Sequence, residues 1–93
     1  MRSIRDALSL ADHRTELCGA VVTLRRPSAL DLVEAIEVSQ KEPGKLFAWL
    51  AWRHLIEDGK PVFASLDEAL AADGLTVRKI GEAAEALYSE GRD

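Results

Sequence analysis

The side chains best suited to nucleophilic or metal chemistry in this sequence are few: His13, Cys18 and His54. A metal site needs imidazoles and thiolates at short fixed spacings such as Cys-x-x-Cys or His-x-x-x-His, and these three are scattered. A Cys–His nucleophilic pair needs the thiol beside a base, yet Cys18 falls in an expected hairpin turn and no nucleophile elbow occurs. Neither Gly-x-x-x-x-Gly-Lys nor Gly-x-Gly-x-x-Gly is present, and the glycines stand where turns and helix ends need them. The expectation is a chain with no catalytic residues, no cofactor and no metal.

The cationic residues allow a different chemistry. Arg14, Arg25 and Arg26 could meet phosphates at one end of a hairpin, although they lack the aromatic interleaving of a nucleic-acid footprint. Residues 1–27 hold five arginines and three acids, whereas residues 28–93 hold seven basic and thirteen acidic residues. The body of the chain therefore repels a phosphate backbone. Arg53 interrupts an otherwise apolar segment, where it can snorkel or stack on Trp49 four residues earlier, or else anchor a partner.

These residues must be positioned by one core. Ninety-three residues make a single domain, 1–93, with an N-terminal helix and hairpin segment over 1–27 and a helical body over 28–90. The single cysteine excludes an internal disulfide framework, and the opening Met-Arg-Ser-Ile-Arg-Asp lacks the apolar run of a secretory signal, so the expected compartment is a reducing cytoplasm.

Lys45–Asp58 is the organising stretch. Leu46, Phe47, Trp49, Leu50, Trp52, Leu55 and Ile56 leave almost no polar sector, which marks a buried helix, too short and too interrupted to span a membrane. Around it the pattern predicts a weak helix over Ser3–Asp12 and a hairpin over Thr15–Leu24 turning at Gly19–Ala20. A helix follows from Ser28 to about Gln40, with Ser28 and Asp31 in capping-box positions and Ala29, Leu32, Val33 and Ile36 as its buried face. Asp31, Glu34 and Glu37 lie on its other side, with Leu30 and Val38 among them.

Pro43 is expected to open the central helix, and Asp58-Gly59-Lys60-Pro61 to end it. Ser65-Leu-Asp-Glu68 caps a short helix, and Thr76 caps a last one whose apolar stripe is Val77, Ile80, Ala83, Ala84, Leu87 and Tyr88. The fold class expected is α+β, mostly α-helical: a short N-terminal β-hairpin followed by about four helices around one central apolar helix (45–58).

Three segments in fixed order carry a family resemblance. They are Ile4-Arg-Asp-Ala-Leu-Ser-Leu-Ala-Asp12 leading into the hairpin, Val22-Thr-Leu-Arg-Arg-Pro-Ser-Ala-Leu-Asp-Leu32 as a strand passing directly into a helix, and Leu55-Ile-Glu-Asp-Gly-Lys-Pro-Val-Phe63 before a capped short helix and an amphipathic last one. In this layout the chain resembles the tail assembly chaperones of long-tailed phages and prophages. Many of those proteins carry a Trp-Gly-Gly-like turn where this chain has Cys18-Gly19-Ala20.

The resemblance implies a non-enzymatic chaperone that coats the long helical tape-measure protein until tail-tube subunits polymerise around it. It implies self-association of many copies, and contact with the tail-tube protein through an extended, frameshifted product. Candidate partner-binding residues are Leu30, Glu34 and Val38 on the helix after Ser28, and Arg53 on the central helix. No membrane or nucleic acid enters this reading. The alternative is a small regulatory or DNA-associated protein of the antitoxin or accessory type, which would bind DNA in a salt-sensitive way through Arg14, Arg25 and Arg26.

Overall fold

The computed structural model describes Ile4 and residues 12–89. The expected helix over Ser3–Asp12 and the tail from Glu90 fall essentially outside the described residues. Strand β1, His13–Leu17, pairs antiparallel with β2, Ala20–Leu24. The turn falls on Cys18–Gly19, with φ of 51° and 78°, one residue earlier than the sequence suggested. Two successive positive φ angles match the right-handed twist of the strands, which a turn at Gly19–Ala20 would not provide.

Alternation along β1 puts His13, Thr15 and Leu17 on the half-buried face and Arg14 and Glu16 in solvent. The inner face continues through Val22 and the fully buried Leu24.

Helix α1, Ala29–Lys41, starts on the full capping box of Ser28 and Asp31. A 3-10 turn, Pro43–Lys45, follows, so Pro43 opens this turn and not the central helix itself. The central helix α2 spans Leu46–His54, shorter than the expected 45–58, because the chain becomes extended at Leu55. Leu55–Glu57 forms β3 and Lys60–Pro61 forms β4, completing a four-stranded antiparallel sheet in the order β1-β2-β3-β4. Their turn, Asp58–Gly59, repeats the geometry of the first hairpin, with φ of 53° and 77°. An Asp-Gly pair is a hairpin signal as much as a helix stop, and here the hairpin prevails because β2 offers a free edge to Leu55 and Ile56.

Helix α3, Leu66–Ala71, is capped by Ser65. Helix α4, Gly74–Tyr88, is capped by Asp73, whose carboxylate accepts from the Thr76 backbone at 3.0 Å and the Thr76 hydroxyl at 2.9 Å; Thr76 is therefore the third residue of the helix and not its cap. Helices α2 and α4 form the principal contact of the fold, and Ala48, Trp49, Leu50, Ala51, Val77, Ile80, Ala84 and Leu87 build the core with Leu24 and Leu55. The chain is thus α+β and mostly helical, with its helices gathered on one apolar central helix. Among the described residues no helix is long and apolar enough to cross a membrane.

Candidate partner-binding surface

Helix α1 is held through charge more than through apolar contact. Asp31 at its third position is 1% exposed, and its two oxygens accept four hydrogen bonds. Arg25 grips it from both guanidinium ends at 2.8 and 3.3 Å, the Ser28 N–H donates at 2.8 Å, and Arg53 donates at 3.2 Å. That is the full acceptor capacity of a carboxylate. Burial alone would raise the Asp31 pKa, but the hydrogen bonds from Arg25, Ser28 and Arg53 and the Arg25 charge overcome it and hold the carboxyl far below its ordinary value.

The two arginines are fixed in turn. Arg25 donates to the Arg53 carbonyl from Nε at 3.2 Å and from Nη2 at 2.9 Å. The Arg53 guanidinium lies 5.7 and 5.4 Å from the ring centroids of Trp49 and Trp52 and also pairs with Glu34 at 3.3 Å. Its stacking on Trp49 agrees with the reading from the sequence; the second tryptophan was not foreseen.

Beneath this cluster lies His54, fully buried at the end of α2. Arg25 donates its backbone N–H to the His54 carbonyl at 2.7 Å, and the His54 ring faces the Arg25 carbonyl through Nδ1 at 2.8 Å. A carbonyl only accepts, so Nδ1 carries the proton and Nε2 accepts from the Tyr88 hydroxyl at 2.5 Å. Both ring nitrogens are thereby committed, which leaves none for acid–base work on a substrate. Burial raises the Tyr88 pKa above its ordinary value, keeping that hydroxyl a donor.

Burial, aided by the Arg25 and Arg53 charges, lowers the His54 pKa below its ordinary 6.5, against the opposing influence of the Arg25 carbonyl and Asp31. The unfolded chain thus binds a proton in a range where the folded chain does not. The stabilisation is fully present above pH 6.5 and declines as pH falls below it toward the folded-state value. Urea unfolding at pH 7 and pH 5 should show the lower midpoint at pH 5, with a slope approaching about 1.4 kcal/mol per pH unit from this residue. His54→Gln should remove that slope.

The inward pull on Asp31 fixes the rotation of α1 and reverses the face expected from its apolar residues. Leu32, Val33 and Ile36 are 44%, 55% and 58% exposed, and Ala29 is exposed with them. The inner side is formed by Asp31, Glu34, Ala35 and Val38. Leu30 is exposed as expected, at 60%, but Val38 is half-buried against the core. The four candidate residues therefore do not share a face: Leu30 looks outward, while Glu34 and Arg53 bind each other and Val38 packs inward. The reason is energetic. Facing inward, Asp31 joins Arg25 and Arg53 through charged hydrogen bonds that turning it out to water would break, and these weigh against the apolar surface left exposed.

The larger apolar sector of α1 is continuous with a groove of about 270 Å3 between α1, α2 and α4. Leu32 and Ile36 form one wall, Leu46 and Leu50 line it from α2, and Tyr88 and Glu85 face them from α4. Sequence reasoning missed this surface by assigning Leu32 and Ile36 to the core. The available signal was that α1 carries apolar residues in more sectors than one core contact can cover.

Cys18 stands exposed at the hairpin turn, and among the described residues no group of three or more His, Cys, Asp or Glu is arranged to hold a metal. The chain matches no family model, no curated protein and no solved structure with which it was compared. Of the three arginines required by the DNA-associated reading, Arg25 is neutralised by Asp31 and turned toward α2.

Proposed function

We propose that this chain is a non-catalytic binding protein, a phage or prophage tail assembly chaperone that holds the tape-measure protein soluble in the host cytoplasm during tail assembly. The observation that carries the binding role is the outward-facing apolar sector of α1. A soluble domain that leaves Leu30, Leu32, Val33 and Ile36 in water on one helix leaves a surface suited to an apolar partner. The phage assignment rests on the resemblance in layout described above. A long helical tape measure presents apolar stripes that aggregate when uncovered, and contacts between a helix and a groove would cover them.

Coating of a long protein requires many copies side by side. Strand β1 is an edge of the sheet, which gives copies a route to associate by strand pairing. Contact with the tail-tube protein would belong to a longer product carrying additional sequence.

The test is co-expression with the long helical protein encoded immediately downstream, scoring its solubility and co-purification. Leu30→Glu with Ile36→Asp should leave the free energy of unfolding within about 1 kcal/mol of the parent, because both positions are exposed, and should abolish solubilisation. Substitution of Val38 by a charge cannot serve here, since it would disturb packing as well. A long protein that stays insoluble beside the parent chain sinks the chaperone reading; unchanged solubilisation by the double variant removes α1 from it.

A further inference from the structure

The proposed binding role leaves open what chemistry the groove selects. We infer that the groove between α1, α2 and α4 takes an amphipathic helix whose apolar stripe is flanked by lysine or arginine. The inference rests on the binding reading of α1 and is independent of the partner's identity.

The groove, of about 270 Å3, suits side chains presented along a helix. Its walls are helices, and its apolar residues continue along α1 from Leu32 to Ile36, one helical turn apart. A second helix laid along them would insert its own residues at the same spacing.

The charges select the partner. Glu85 lines the α4 side of the groove. It forms no ion pair among the described residues, in contrast to Glu34, Glu42 and Glu82, each of which already has a cationic partner. A basic residue beside the apolar stripe of the incoming helix would meet this carboxylate, where opposite charge favours encounter and orientation. A second copy of this chain fits less well, since the two molecules would each carry a net charge of −4.

The experiment uses two synthetic helical peptides of the length of α1 with the same leucine stripe, one flanked by lysines and one by glutamates. Each carries a fluorophore and is titrated by anisotropy against the full chain. The lysine peptide should bind, weaken with added salt, and bind at least about tenfold more tightly than the glutamate peptide. Glu85→Lys should weaken the lysine peptide by about tenfold, and Ile36→Asp should abolish its binding, with circular dichroism unchanged for both.

Equal binding of the two peptides, binding indifferent to Ile36→Asp, or no binding of either overturns the inference. If neither peptide binds while the downstream protein is still held soluble, the groove inference falls and the chaperone reading stands. If the lysine peptide binds and the downstream protein stays insoluble, the reverse holds.

Discussion

Asp31→Ala should lower the free energy of unfolding by about 3 kcal/mol, the lower end of the range of roughly 3–5 kcal/mol for breaking a buried ion pair. The buried carboxylate gives up four hydrogen bonds, and Arg25 and Arg53 are left facing each other without the negative charge between them. The lower end applies because both guanidiniums still reach water, with 36% and 28% of their side-chain surface exposed.

A domain of this size has a total stability on the order of 5–10 kcal/mol, so a large part of it depends on one residue. Urea denaturation measures the effect. Glu34→Gln is the control: it removes only the 3.3 Å contact at the rim of the same cluster and should cost less than about 1 kcal/mol. An Asp31→Ala loss as small as the control would mean that α1 is not held by this carboxylate.

The acid limb provides a second readout. The folded-state pKa of Asp31 is depressed, so its contribution is present above the ordinary value of 3.8 and is lost as pH falls below it. In the alanine variant that part of the acid transition should disappear.

Gly81→Ala should destabilise the domain, against the ordinary helical preference. In the interior of a helix the change from glycine to alanine normally gains roughly 0.5–1 kcal/mol. Here the added Cβ would lie 2.7 Å from the Phe47 carbonyl oxygen and 2.8 Å from its Cα. The obstruction is backbone of the neighbouring helix, which cannot turn aside as a flexible side chain can. Helices α2 and α4 would have to separate at the principal contact of the fold, and overpacking of this kind costs about 1–3 kcal/mol.

The net expectation is a loss of about 1–2 kcal/mol. Gly74→Ala, at the start of the same helix with nothing within 4 Å of the added atom, should be neutral or stabilising. The pair of thermal midpoints decides the matter: if both variants are more stable than the parent, the close approach at Phe47 is not a constraint.

Much of the fold was legible because its periodicities are unambiguous. The stripe of Val77, Ile80, Ala84 and Leu87 on α4 is buried as its spacing requires, and the all-round apolar character of α2 identified the core helix. The second hairpin was less legible because Leu55 and Ile56 extend the apolar run of α2 without a break, and only the partner strand decides that they are extended. The binding surface was hidden for a related reason. Which side of α1 faces inward depends on an ion cluster between Asp31 and residues 6 positions before and 22 positions after it, a relation that no local spacing records. Arg53 was picked out as an oddity in an apolar helix, but its partner Asp31 looked like an ordinary capping residue.

The sheet order has a kinetic consequence. Each hairpin closes through a two-residue turn, and such local pairs form within about 1–10 μs. The seam between them is of another kind: Thr23 and Leu24 meet Ile56 and Leu55 only after the chain has passed through α1 and α2. Closing that loop carries an entropic cost that no turn residue offsets, so the two hairpins are expected to join later than each closes. The Arg25–His54 backbone contact sits at the end of this seam, beside the guanidinium that grips Asp31. Of the four hydrogen bonds on Asp31 only the one from Arg53 requires the central helix to be in place, so that contact links the fastening of α1 to the joining of the two halves of the sheet.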